Sequence, residues 1–188
     1  MEQAKSPPYE RTRLILPIYV ALGANQNSVF NGQSHTPVET FQLLFKELAD
    51  GGINVINVSG LWESPAWPDP KTQPAYNNAV IEISTDLRPV SLLQVLKTLE
   101  YSFGRREGIR NAPRPLDLDI LDYHGLTLNR AGLTLPHPRM CDRPFVLFPL
   151  CEIAPEWRDP IKNRAIDNWI ARLELSEVTP MKRLGKML

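Results

Sequence analysis

The order in which strand-like and helix-like hydrophobic patterns follow one another constrains the fold of this chain most. Apolar residues 18–22 predict a first strand, which Gly23-Ala24-Asn25 ends. A capping box begins at Thr36, with Pro37 at the first helical position, and predicts the start of a helix. Apolar side chains at positions 41, 44, 45 and 48 then form one helical face. A strand followed by a helix therefore opens the domain.

Three more strands and a second helix follow. β-branched residues predict a strand from Ile53 to Trp62, and alternating residues predict another from Tyr76 to Ser84. The second helix starts near Pro89, and the fourth strand runs over residues 116–123. The order β-α-β-β-α-β is the split βαβ pattern of a ferredoxin-like α+β sheet with helices packed on it. Beyond residue 124, short apolar pieces broken by proline predict a C-terminal extension with short helices at 143–153 and 166–173.

The bulk composition narrows the class of protein. The 188 residues favour one domain, which we expect at residues 17–188 after a disordered N-terminal lead at 1–16. The initial Met favours a complete protein over a domain cut from a longer enzyme. A formal net charge of +0 disfavours nucleic-acid partners, which usually require a basic excess. No apolar run approaches the ~20 residues of a membrane span, and the N-terminus lacks an apolar signal region, so we expect a cytoplasmic protein without a membrane partner.

The two cysteines support the same compartment. Cys141 and Cys151 do not form a CxxC pair, and two cysteines cannot build a disulfide framework. We therefore expect both to be buried thiols in a reducing compartment.

Asp117-Leu118-Asp119 in the fourth strand carries the clearest chemical signal. Strand side chains alternate between faces, so both carboxylates point one way and Leu118 points the other. Paired carboxylates suit Mg²⁺ when phosphates and waters complete its octahedron. Arg114 lies upstream of the pair, between two prolines that favour extended backbone. This backbone would hold its guanidinium group, a ligand for phosphate, at a fixed distance from a metal bound to the carboxylates. The alternative is a pair of solvated edge carboxylates that bind Lys or Arg.

A long segment between the second and third strands is also of functional interest. Residues 64–75 include four prolines, at positions 65, 68, 70 and 74. Loops of this length in a compact domain are usually functional or disordered, and the aromatic neighbours favour function.

The segment Pro-Arg-Pro-Leu-Asp-Leu-Asp-Ile-Leu closely resembles the signature of the 6-hydroxymethyl-7,8-dihydropterin pyrophosphokinase family of folate synthesis. Further blocks that resemble the family run in order from about residue 18 to residue 160. They are Gly23-Ala24-Asn25, Ser64-Pro65-Ala66-Trp67, Tyr76-Asn77-Asn78-Ala79, Glu100 with Gly104-Arg105, Leu135-Pro136-His137-Pro138-Arg139, Arg143-Pro144-Phe145, and Pro149 to Pro155.

The resemblance implies that pyrophosphate passes from ATP to the pterin hydroxymethyl group and that AMP leaves. Two Mg²⁺ ions would bind Asp117 and Asp119, and the catalytic set implied is Arg105, Arg114, Asp117 and Asp119. The ATP contacts implied are Glu100, Arg106, Arg110, Ile120, Thr134, His137 and Arg143. The pterin contacts implied are Ser64, Pro65, Trp67, Tyr76, Asn78 and Phe145. Members of the family are monomers or small homo-oligomers.

The chain departs from the family at several positions. Asn111-Ala112 stand where the family often has Trp-Gly, Gly132 stands two positions before Thr134 where an arginine is common, and Pro138 replaces an aromatic residue. These departures concern loop closure and nucleotide contacts, and they leave a catalytically weakened pterin- or nucleotide-binding relative as an alternative. Two further alternatives are a kinase that releases ADP and an RNA-binding module, since the RNA recognition motif has the same element order.

Overall fold

The computed structural model of the protein describes residues 16–67, 70–106, 112–130 and 132–187. The predicted N-terminal lead lies outside these residues, except for Leu16. The described strands are β1 (Ile18–Ala24), β2 (Ser28–Phe30), β3 (Gln33–His35), β4 (Asn54–Val58), β5 (Gly60–Ser64), β6 (Tyr76–Ser84), β7 (Asp117–Tyr123), β8 (Leu128–Arg130), β9 (Leu133–Leu135) and β10 (Lys182–Lys186). The described α-helices are α1 (Pro37–Asp50), α2 (Pro89–Ser102), α3 (Pro144–Ile153), α4 (Ile166–Ile170) and α5 (Leu175–Val178), and a 3₁₀ turn spans Met140–Asp142.

The main sheet is antiparallel and has β6 at its centre. β1 pairs with β6 on one side and with β7 on the other. β4 and β5 both pair with β6, and β10 extends the sheet beyond β5. With α1 and α2 as the two crossovers, this arrangement confirms the predicted ferredoxin-like α+β fold.

Local chemistry at the start of α1 follows the sequence prediction. The Thr36 hydroxyl accepts the Glu39 backbone N–H at 3.4 Å, and the Glu39 carboxylate accepts the Thr36 backbone N–H at 2.8 Å. This reciprocal pair is the predicted capping box, and Pro37 is the first helical residue. At the other end, the Gly51 backbone N–H donates to the Glu47 carbonyl at 3.1 Å.

Each face of the sheet is covered by its own helices. One face packs on α1 and α2 through side chains such as Val20, Ile81, Leu118 and Ile120. The opposite face packs on α3 and α4 through Tyr19, Val80, Leu121, Leu147 and Trp169. Residues two apart on a strand therefore share a core, as the alternation of strand side chains requires.

The second predicted strand was wrong as a single element. Residues 53–62 contain β4 and the start of β5, which are separated at Ser59. The Ser59 hydroxyl accepts the Val80 N–H at 2.9 Å, while the Ser59 N–H donates to the Val80 carbonyl at 3.0 Å. A side-chain oxygen thus replaces one rung of the backbone ladder and interrupts the strand.

The C-terminal extension also differs in detail from the prediction. The helix predicted at 166–173 ends at Ile170, and the pairing of β10 with β5 was not predicted. Cys141 and Cys151 are free thiols but half-buried, so the prediction that both are buried was wrong. Within the described ranges, no helix is long and apolar enough to span a bilayer.

Candidate active site

Several of the predicted site residues lie together where β1 ends, on the sheet face that α3 covers. In the strand register Gly23 lies opposite Asp117 of β7 and opposite Asn78 of β6. A Cβ atom at Gly23 would lie 3.8 Å from the Asp117 Cβ and 3.9 Å from Tyr76 Cδ1 and from Asn78 Oδ1. The glycine therefore leaves a narrow strip without a side chain between a charged half, on β7, and a polar-aromatic half, on β6, and a Cβ atom there would contact both halves.

Asp117 is the centre of the charged half. Arg114 Nη1 donates to Asp117 Oδ2 at 2.6 Å, and Arg105 Nη1 donates to Asp117 Oδ1. Burial alone would raise the pKa of Asp117, but the positive charges of Arg105, Arg114 and Lys97 outweigh it and hold that pKa below its ordinary value. Asp117 is therefore ionised throughout the physiological range.

Glu100 supports this half from beneath. Its carboxylate is only 2% exposed, and Oε1 accepts the Leu118 backbone N–H at 2.7 Å. The same oxygen receives Lys97 Nζ at 2.9 Å and Arg105 Nη1 at 2.6 Å. Burial raises the pKa of Glu100, against the opposing effects of Lys97, the Leu118 N–H and Arg105. Such a buried group orients Arg105 and the β7 backbone, and it has little surface with which to touch a nucleotide directly.

Asp119 faces a second, looser set of cationic groups. Arg143 Nη1 lies 3.7 Å and His137 Nε2 lies 3.8 Å from Asp119 Oδ2, and both distances exceed that of a hydrogen bond. His137 Nδ1 accepts the Arg139 backbone N–H at 3.2 Å, which places the proton of a neutral ring on Nε2. Burial, with Arg143 and Arg139, lowers the pKa of His137 in spite of Asp119. Near pH 7 a neutral N–H donor therefore faces this carboxylate.

The donor set fits Mg²⁺ that arrives with a phosphate-bearing ligand. Asp117 and Asp119 lie on one face of β7, but among the described residues no three His, Cys, Asp or Glu side chains cluster as a metal cage would require. Mg²⁺ is commonly held by one or two carboxylates, with waters and substrate phosphates completing its octahedron.

The other half of the site lies on β5 and β6. Asn78 is buried, and its Nδ2 donates to Ser64 Oγ at 2.9 Å and to the Tyr76 carbonyl at 3.2 Å. These bonds fix the amide plane and direct Oδ1 toward the strip at Gly23. Tyr76 is half-buried beside it. A planar ring that lay here would meet an aromatic face and a fixed amide edge.

The remaining predicted pterin residues vary in exposure. Phe145 is half-buried on the first turn of α3, with the Arg143 guanidinium 5.5 Å from its ring centroid. Pro65 is exposed, and Trp67 is 70% exposed. Phe145 thus joins Arg143 near Asp119, whereas Trp67 projects into solvent.

Several predicted nucleotide residues have partners other than the carboxylate pair. The Arg106 guanidinium lies 4.2 Å from the Tyr101 ring centroid, and Thr134 Oγ1 donates to Asn129 Oδ1 at 3.3 Å. The Ile120 side chain is buried in the core on the α1/α2 face, so only its backbone remains for a ligand. Arg110 and the departure at Asn111 lie outside the described residues.

Two site residues were missed by sequence reasoning. Lys97 Nζ reaches Glu100 and lies 3.4 Å from the Leu118 carbonyl, and nothing in its helical position indicated this. Asn25 is buried and bonds to Arg114 and to the loop before Tyr76. Its place in the Gly-Ala-Asn turn was noted, but its long-range partners were not.

Comparison with known proteins supports one family. The family model for 7,8-dihydro-6-hydroxymethylpterin-pyrophosphokinase (HPPK) matches residues 19–155. A Synechocystis protein named 2-amino-4-hydroxy-6-hydroxymethyldihydropteridine pyrophosphokinase is 39% identical over 163 residues, which cover 86% of this chain and 78% of that protein. The "Folate synthesis bifunctional protein, mitochondrial" of Arabidopsis thaliana is 36% identical over 81% of this chain, which spans 25% of that longer protein.

A solved structure described as "Crystal Structure Analysis of the HPPK-DHPS in complex with substrates" has a similar fold. Its TM-score is 0.65 at 13% sequence identity, over 89% of this chain and 46% of that one. At that identity the likeness concerns the fold alone.

Proposed function

The chain belongs to the 7,8-dihydro-6-hydroxymethylpterin-pyrophosphokinase family of folate biosynthesis, and we propose that it transfers pyrophosphate from ATP to the hydroxymethyl group of 6-hydroxymethyl-7,8-dihydropterin. In the proposed reaction the hydroxymethyl oxygen attacks the β-phosphorus of ATP. A new O–P bond forms, the bond between the β-phosphorus and the α,β-bridging oxygen breaks, and AMP leaves with that oxygen. The hydroxyl proton passes to solvent.

One observation carries the proposal. The carboxylate pair with its two arginines on β7 and the Tyr76–Asn78 edge on β6 lie on the same sheet face, with Gly23 between them. A triphosphate on one side and a flat heterocycle on the other would place their reacting atoms over a strip that carries no side chain. Phosphoryl transfer depends mainly on such placement and on charge stabilisation.

On the nucleotide side we assign binding to the arginines and to His137. Arg105 and Arg114 present planar guanidinium groups that suit phosphate oxygens, and the neutral His137 N–H adds a donor. Asp117 and Asp119 would hold Mg²⁺. When bound, the metal would neutralise charge on the phosphates and orient the attacking hydroxyl. Arg143 lies close enough to Asp119 to act on the same phosphates.

On the pterin side we assign the ring faces to Tyr76 and Phe145. Asn78 Oδ1 would accept hydrogen bonds from the amino edge of the heterocycle, since Nδ2 is already committed to Ser64 and Tyr76. This fixed orientation discriminates against rings that present an acceptor at the same edge.

Nucleotide products test the proposal directly. The protein is incubated with ATP, Mg²⁺ and 6-hydroxymethyl-7,8-dihydropterin, and the nucleotides are resolved by chromatography. We expect AMP, and we expect it only when the pterin is present. ADP would indicate a single-phosphoryl kinase, and pterin binding without turnover would indicate the catalytically weakened relative.

A pair of variants tests the metal assignment. Asp117→Ala should abolish AMP formation while the circular dichroism spectrum stays that of the wild type. Asp50→Ala removes an exposed carboxylate at the end of α1, remote from the site, and should leave turnover unchanged. Full activity of Asp117→Ala would refute the assignment of Asp117.

A further inference from the structure

Asn25 lies where strand β1 stops separating the two halves of the site. β1 ends at Ala24, its register with β6 ends at Ala24 opposite Asn77, and its register with β7 ends at Gly23 opposite Asp117. Beyond this point the chain segments on the two sides have no common strand to hold them. Asn25 is the next residue, and it is only 3% exposed.

The Asn25 side chain bonds to both segments at once. Its Oδ1 accepts the Arg114 backbone N–H at 2.7 Å, and its Nδ2 donates to the Pro74 carbonyl at 3.2 Å. The Asn25 backbone N–H also donates to the Arg114 carbonyl at 3.0 Å. One planar amide therefore connects the segment that carries Arg114 to the loop that leads into Tyr76.

Building on the function proposed above, we propose that Asn25 is a positioning residue that couples nucleotide binding to pterin binding. Arg114 extends from one bonded segment to Asp117, and Tyr76 follows Pro74 by two residues on the other. A ligand that orders either segment also orders the other through the Asn25 amide. The second ligand then has less conformational freedom to remove, so each ligand tightens the other by the same factor.

Equilibrium binding measures this coupling without turnover. Calorimetry gives the dissociation constant of 6-hydroxymethyl-7,8-dihydropterin with and without saturating Mg²⁺ and α,β-methylene-ATP, whose α,β bond cannot be cleaved. The ratio of the two constants is the coupling factor, and we expect about tenfold for the wild type. Asn25→Ala should reduce this factor to less than about twofold.

The chain supplies a matched control and a second variant. Asn27 is exposed, and its amide contacts only Ser34 Oγ, at 3.4 Å, among the described side-chain bonds, so Asn27→Ala should keep the full coupling factor. Asn25→Asp retains the acceptor for the Arg114 N–H but replaces the donor to Pro74 with an oxygen. It should leave nucleotide affinity within about twofold and still abolish coupling. This variant decides the question if Asn25→Ala does not fold.

The outcomes separate the two proposals. A folded Asn25→Ala or Asn25→Asp protein that keeps the wild-type coupling factor would overturn the role of Asn25 and leave the proposed function intact. A wild type that binds both ligands without coupling would overturn it as well. A wild type that binds neither ligand would refute the proposed function itself, before any variant is compared.

Discussion

Variants of Glu100 test the role of the buried carboxylate, which contacts Arg105 and the β7 backbone and has little exposed surface for a ligand. In Glu100→Gln the shape is kept and Oε1 still accepts the Leu118 N–H. The lost ion pair with Lys97 is worth about 0–1 kcal/mol, since Lys97 is 46% exposed. Arg105 retains Asp117, and the neutral amide avoids the cost of burying a charge, which is the cause of the raised pKa. We expect the free energy of unfolding to fall by about 1 kcal/mol or less.

Glu100→Ala should be far more costly. The Leu118 backbone N–H would be left buried without its acceptor, at about 1–3 kcal/mol. The vacated volume in a fully packed position adds about 1–2 kcal/mol. The total loss is then about 2–5 kcal/mol, which is a large share of the stability of a typical domain.

Urea unfolding followed by circular dichroism measures both variants, and equal m-values establish that the same unfolding is compared. In the Gln variant, whose fold is kept, the KM for ATP should rise because the ion pair between residue 100 and Arg105 is reduced to a neutral hydrogen bond, while the KM for the pterin should not change. If Gln destabilises the protein as much as Ala does, then the ionised carboxylate itself stabilises the fold. That result would refute our account of its burial.

Three further predictions concern parts of the fold outside the proposed nucleotide site. Burial raises the pKa of Asp122, which accepts Trp157 Nε1–H at 2.8 Å, so the folded protein binds this proton more tightly than the unfolded chain does. The stability advantage of the wild type over Asp122→Asn should therefore grow as urea titrations move from about pH 7 to about pH 4, and a constant difference would contradict the shift. Gly60→Ala would place a Cβ 2.9 Å from Glu152 Oε2 and 2.9 Å from the Gly185 carbonyl oxygen, so we expect the free energy of unfolding to fall by about 1–3 kcal/mol. An unchanged urea midpoint would show that α3 and β10 can move away from β5 at no measurable cost. Burial raises the pKa of the Cys141 thiol to about 12, so iodoacetamide should label it far more slowly in the native protein than in urea, as mass spectrometry would show; equal rates would indicate an exposed thiolate.

The parts of the fold that local chemistry determines could be predicted from the sequence. Thr36, Glu39 and Pro37 mark the start of α1 within the same four residues, and α1 begins there. The break at Ser59 could not be predicted in this way, because its hydroxyl bonds to Val80, 21 residues away. The β10 strand was missed for a similar reason: Lys182–Lys186 is mostly exposed and lacks the alternation that identifies a strand.

The site residues show the same difference between features that local sequence determines and features that long-range contacts determine. Asp117 and Asp119 are two residues apart, so strand alternation alone predicts their common face, and the structure places them so. Asn25 and Arg114 are 89 positions apart, and their contact depends on how β1 and β7 pair. The family resemblance implied Glu100 as a nucleotide contact, and the sequence did not indicate that its carboxylate is buried and accepts the Leu118 N–H.

The carboxylates and the core are linked by the geometry of a single strand. Leu118 and Ile120 are buried against α1 and α2, and this burial fixes which face Asp117 and Asp119 occupy. A slip of one residue in β7 would move both acids into that apolar core, where ionised carboxylates are strongly disfavoured. The register of β7 shifts by one residue only beyond this pair, between the positions opposite Val20 and Tyr19. The cost of burying either acid therefore disfavours every register in which the acids would be misdirected, and the alternation that stabilises the sheet also orients the site.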